Sequence, residues 1–125
     1  MQELLLVGLG GAIGSVARVI TSGFALRMLA PGFPWGTIAV NLIGSFAFGV
    51  IIGLASNRGG VTVNERALLL SGLLGGFTTF SAFSFDNVEL LSAGFPGRAI
   101  VNIVGQVVLG VLALWLGMQL TMGHR

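Results

Sequence analysis

Four apolar stretches, Leu4–Met28, Trp35–Ala55, Ala67–Ala93 and Arg98–Met122, take up nearly all of a 125-residue chain. Each is close to the about 20 residues that a helix needs to cross bilayer hydrocarbon. The separators APGFP (Ala30 to Pro34), SNRGG (Ser56 to Gly60) and AGFPG (Ala93 to Gly97) carry turn chemistry. None is long enough to divide the chain. The expectation is an all-α membrane protein, one four-helix transmembrane domain over residues 1–125.

The charges agree. Only 8% of residues are charged and 54% are hydrophobic, against about 25% charged in soluble domains. With a mean hydropathy of +0.99, such a chain cannot cover a globular surface with polar groups, so lipid is the solvent for its apolar side chains. Six arginines stand against Glu3, Glu65, Asp86 and Glu89, giving a net charge of +2. They are too few and too scattered for a nucleic-acid footprint, so no nucleic-acid partner is expected. The absence of cysteine excludes thiol chemistry and disulfides. Without lysine or tyrosine, and with one histidine, His124, in the tail, no nucleophile and base stand at useful spacing, and no enzyme is expected. The N-terminus lacks a basic region and an A-x-A site, so no removable signal peptide is expected.

Orientation follows the arginine asymmetry of the loops. Arg58, Arg66 and Arg125 lie on the side of the N-terminus, Arg27 and Arg98 on the other, and Arg18 inside the first span. Three against two is almost no bias. A chain so balanced can insert both ways, and oppositely oriented copies can pair as an antiparallel homodimer; one fixed orientation is the alternative. The 21 glycines include small-xxx-small pairs at Gly10/Gly14, Gly49/Gly53 and Gly72/Gly76, which let helices approach closely. Four thin helices enclose no large aqueous cavity. That favours a dimer and a narrow path for something small.

Polar residues inside the spans are expensive in hydrocarbon and therefore informative. Arg18 reads as an anion attractor, as a packing anchor bonded to carbonyls, or as a snorkelling side chain. The glycines of GLGGAIG around it do not form a dinucleotide site, because no strand precedes them and the next acid is Glu65. Thr37 and Asn41 share a helix face, and Asn41 either bonds a neighbouring helix or serves a permeating ligand. Asn102, Gln106 and Gly110 form a second stripe, which should face protein or water. Two stripes suggest the walls of a path.

The third span, LLLSGLLGGFTTFSAFSFDNVE, contradicts itself as a helix. Gly75 and Gly76 weaken it, and Thr78, Thr79 and Ser81 can re-satisfy freed backbone groups, so a break is expected there; a merely kinked packing helix is the alternative. Carbonyls exposed at such a break can hold a hard cation. Phe77, Phe80, Phe83 and Phe85 follow, with Phe80 and Phe83 one turn apart. Aromatic rings carry a positive edge that can weakly solvate an anion, although phenylalanine also serves as filler. Asp86 and Glu89, facing Arg98 across a short loop, read as an interfacial cluster.

Taken together, GGAIGSVAR, WGTIAVNLIG and GLLGGFTTFSAFS, at these spacings on a four-span chain, resemble the Fluc/CrcB fluoride channels over essentially the whole length. GGxTTFSxF is the specific motif. The resemblance implies a dual-topology, antiparallel homodimer in a bacterial inner membrane, exporting fluoride passively through two pores. It further implies that Phe80 and Phe83 present ring edges to the ion beside Asn41. It places Thr37, Thr79, Ser81, Asn102 and Gln106 along the pore and Arg18 near the vestibule. The backbone carbonyls of Gly75 and Thr78, from both subunits, would hold a central structural sodium ion. The sequence departs from the familiar pattern where Ala82 replaces a threonine and Asn102 a tyrosine.

The rival reading is a small four-helix, dual-topology multidrug or cation exporter. That chemistry needs a carboxylate in mid-span to exchange protons for cationic cargo. The first span instead has Glu3 at its edge and the cation Arg18 inside.

Overall fold

A computed structural model describes residues 1–123; the tail residues His124 and Arg125 lie outside the described residues. Among the described residues the regular elements are all helices: α1 Gln2–Met28, α2 Trp35–Ser56, α3 63–77, α4 Phe80–Ser92 and α5 Pro96–Thr121. Among the described residues four helical segments are long and apolar enough to cross a membrane, the third being Val63–Ser92, made of α3 and α4.

The helix ends follow local chemistry. α3 starts four residues ahead of the apolar run because Thr62 and Glu65 form a capping box, Glu65 N–H donating to Thr62 Oγ1 and Thr62 N–H to Glu65 Oε2. Arg58 donates to Glu65 Oε1 at 2.7 Å and ties the preceding loop to that turn. α5 starts at Pro96 rather than Arg98, since proline is tolerated in the first turn. Between α4 and α5 the chain reverses at Gly94, whose φ of +84° suits glycine, and Phe95 N–H returns to the Leu90 carbonyl at 2.8 Å.

Packing is organised by glycine. α1 lies along α3, and α2 along α5. A Cβ built at Gly10 or Gly14 of α1 would overlap the carbonyl oxygens of Leu68 or Leu73, and one at Gly76 would stand 2.6 Å from the Gly11 carbonyl. On α2 a Cβ at Gly49 would overlap the Leu114 carbonyl oxygen of α5, and one at Gly53 the Thr121 hydroxyl. The three sequence pairs therefore all lie at helix contacts. Between Arg66 and Leu74 α3 winds as a π-helix, and it is this wider stretch that lies on the α1 glycines.

Gly14→Ala should accordingly destabilise by roughly 1–3 kcal/mol through overpacking, lowering the thermal midpoint in detergent. Gly23→Ala, which meets nothing within 4 Å, should be neutral or mildly stabilising because alanine prefers the helix. Equal midpoints for the two variants would show that the backbone contact is not needed.

The break in the third span is present, but not at the glycines. Gly75 and Gly76 are helical, and the chain becomes extended at Thr78 (φ −81°, ψ 158°) and Thr79 (φ −150°, ψ 118°). The physical reason is that Gly76 is used for close approach to α1, whereas Thr79 is a helix cap. Its Oγ1 accepts from Ala82 N–H at 3.1 Å and starts α4.

Candidate permeation site

A break at membrane depth leaves backbone groups without helical partners, and each must find another. Thr79 finds them on α2. Its N–H donates to Asn41 Oδ1 at 2.8 Å, and its carbonyl accepts from Asn41 Nδ2 at 3.1 Å. Asn41 thus stands in for a piece of helix backbone. Thr78 stays with α3, its N–H and Oγ1 both donating to the Leu74 carbonyl.

The second hydrogen of Asn41 Nδ2 goes to Gln106 Oε1 at 2.8 Å. From there the bonds continue in one direction. Gln106 Nε2 donates to Asn102 Oδ1 (2.9 Å), Asn102 Nδ2 to Asn87 Oδ1 (2.8 Å), and Asn87 Nδ2 to the Phe83 carbonyl (2.9 Å). Asn102 is 1% exposed, Asn87 6% and Gln106 9%. A chain of four amides joins α2, α5 and α4 through the middle of the bundle, and Val40 and Asn102 are its largest fully buried side chains. A polar interior fully enclosed by apolar helices is costly unless every member is bonded.

Both hydrogens of Asn41 are therefore committed, which favours the interhelical side of the sequence expectation. Gln106, Asn102 and Asn87 each use one amide hydrogen in this chain and keep a second, since an amide carries two. Asn87 was not singled out from the sequence. The signal available was its position four residues after Phe83 in an apolar span, where an amide needs a partner.

Phe80 and Phe83 lie side by side, ring centroids 5.6 Å apart and planes tilted by 40°. Phe80 is 79% exposed, because no element of the chain covers it. Phe85 is also exposed. Phe80 forms one edge of an open cavity of about 300 Å³ with Asn41, Ser45, Gly75, Thr78 and Thr79 on its walls. Ser81 stands 3.4 Å from Thr79 Oγ1. Gly110 leaves room beside Ser45.

Two carbonyls border the same cavity without their helical donors. Thr79 N–H, which would bond Gly75 in a continuous helix, goes to Asn41, and Ala82 N–H, which would bond Thr78, goes to Thr79 Oγ1. Backbone oxygens of this kind suit a hard cation. No cluster of three or more His, Cys, Asp or Glu residues is present among the described residues, so carboxylate or imidazole ligation is not offered.

Midway along α4, Thr37 Oγ1 donates to Asp86 Oδ2. Asp86, Glu89 and Arg98 border a second cavity, of about 510 Å³, together with Phe33 and Phe95. Arg98 lies 4.3 Å from the Phe95 ring centroid and reaches the Gly32 carbonyl, so the cluster expected from sequence is real but its arginine is held by the loop. Arg18 is half-buried on α1. Of the three readings open for Arg18, the anchor bonded to carbonyls has no such bond among the described residues, where Arg58–Glu65 is the one ion pair.

A small four-span membrane protein, with a broken helix, a buried amide chain and a phenylalanine pair at one opening, is the class defined by this fold and site. Residues 5–118 match the family model described as CrcB-like protein, Camphor Resistance (CrcB), and the chain belongs to that family. Curated relatives span nearly its whole length. A protein of Methylobacillus flagellatus is 47% identical over 96% of this chain and 94% of its own, and one of Agrobacterium fabrum 42% identical over 96% of each. A third, of Opitutus terrae, is 44% identical over 94% of this chain and 90% of its own. All three are named fluoride-specific ion channel FluC.

Proposed function

We propose that this chain is a fluoride channel of a bacterial inner membrane, releasing fluoride passively through two narrow paths at the seams of an antiparallel, dual-topology homodimer. The observation that carries the reading is the 42–47% identity, over almost the full chain, to proteins named fluoride-specific channels. The chemistry of the site agrees with it. A small, strongly hydrated anion gives up water only to converging donors, since an uncompensated ion in hydrocarbon costs tens of kcal/mol. The spare N–H groups of Asn102 and Gln106, the hydroxyls of Thr79 and Ser81, and the ring edges of Phe80 and Phe83 supply such donors, whereas the Thr37 hydroxyl, given to Asp86, borders the path without a hydrogen to spare. None is a full charge, so exit stays feasible. Arg18 adds a positive potential without standing in the path. Asn41 acts as the brace that holds Thr79.

A second copy related by a twofold axis would cover the exposed Phe80. It would also double the free carbonyls of Gly75 and Thr78 to four, a donor set that fits a sodium ion. Bound there, sodium would supply a positive charge opposite these carbonyl dipoles. The chain's own part is to hold those carbonyls open, through Asn41 and the Thr79 cap.

The test is fluoride-electrode efflux from reconstituted liposomes, with chloride and a cationic dye as comparison cargoes. Fluoride should leave while both comparison cargoes stay. Proton-driven dye movement without fluoride efflux would replace this reading with the exporter. In the same assay, prolonged exchange of sodium for a bulky organic cation should lower flux and the dimer fraction. Unchanged values of both would exclude a role for sodium.

A further inference from the structure

Because two extended residues separate α4 from α3, the rotation of α4 about its own axis is not inherited from the preceding helix. Side chains moored on other helices must set it. Thr37 holds Asp86, and Asn41 holds Thr79 at the very start. Toward α5 the side-chain bond of α4 is the one between Asn87 and Asn102.

We propose that Asn87 is a positioning residue that sets the rotation of α4 and so aims the rings of Phe80 and Phe83. Residues three and seven apart share a helix face at 3.6 residues per turn, so Asn87 falls in azimuth between the two phenylalanines. It is 6% exposed, and its amide is oriented at both ends. Nδ2 is anchored on the Phe83 carbonyl, which only accepts, so Oδ1 must face the donating Nδ2 of Asn102. Asn102 is in turn held by Gln106, and Gln106 by Asn41. The chain has one polarity free of like-against-like contacts, set by a carbonyl at one end and the Thr79 N–H at the other. A rotation of about 20° would carry a ring roughly 6 Å from the helix axis through about 2 Å, enough to spoil edge-on contact with a small ion.

This inference rests on the pathway proposed above, and its test has two arms. Asn87→Leu keeps the heavy-atom count and the branch at Cγ and removes both bonds. It should lower fluoride efflux about tenfold and lower the fluoride-to-chloride ratio, with the oligomeric state unchanged in detergent. In a double-mutant cycle with Asn102→Leu the losses should fail to add. Additive losses, or wild-type efflux and ratio in Asn87→Leu, would overturn the proposal. The second arm needs no variant and no fluoride. Side-chain amide hydrogen exchange in the wild-type protein should be slow at Asn87 and Asn102 and fast at the exposed Asn64. Exchange at Asn87 as fast as at Asn64 would overturn the positioning role even in a protein that conducts fluoride. A protein with slow exchange that moves no fluoride would instead sink the pathway.

Discussion

Phe80→Ile and Phe83→Ile should each cut fluoride efflux from liposomes by about 100-fold, which corresponds to ~2.7 kcal/mol of added barrier, while the protein still assembles as wild type. Isoleucine keeps apolar bulk but has no positive ring edge. The two rings are neighbours at 5.6 Å, so they act on the same part of the path. Phe80 is nearly free of contacts within the chain, and its loss has little folding consequence to confuse the measurement. Assembly is read by size-exclusion chromatography in detergent. Undiminished flux in both variants would take the rings out of the mechanism.

Asn41→Asp should have the second large effect, on flux and stability together. The substitution keeps one oxygen for the Thr79 N–H but turns the other against the Thr79 carbonyl and against Gln106 Oε1, where the two hydrogens of the Asn41 amide now donate one to each. It also places a negative charge in an anion path. Efflux should fall to background, and unfolding in detergent should be easier by about 3 kcal/mol, in line with the loss of a buried charge-free network. Asn41→Leu separates the two contributions. It adds no charge but strands the Thr79 N–H and carbonyl, at about 1–3 kcal/mol for each buried group left unsatisfied. Wild-type throughput in the Asn41→Asp variant would place Asn41 away from the ion.

Legibility in the sequence differs from residue to residue. The spans were legible because apolar length and charge poverty act locally, and the glycine pairs were legible because close approach needs a missing side chain at helical spacing. All three pairs lie where helices touch. The break was legible in kind and missed in place by a few residues. Glycine and threonine both signal weakness in an apolar helix, and only the neighbours decide which is used: Gly76 is held helical by α1, and Thr79 is drawn out by Asn41. The stripe of Asn102 and Gln106 was visible at i and i+4. Its partner Asn87 was not, because a bond between residues fifteen apart, across a hairpin, leaves no periodic trace.

By itself, then, the order of residues determined that this protein lives in a bilayer, crosses it with four helical segments, interrupts the third, and packs through glycine. These follow from transfer free energies and backbone sterics, which each segment feels alone. Which polar group satisfies which was decided only by tertiary structure. An amide in hydrocarbon must bond to something, but many partners are acceptable, and the choice of Asn41 for Thr79, Gln106 for Asn41 and Asn87 for Asn102 depends on helices meeting at one rotation and one depth.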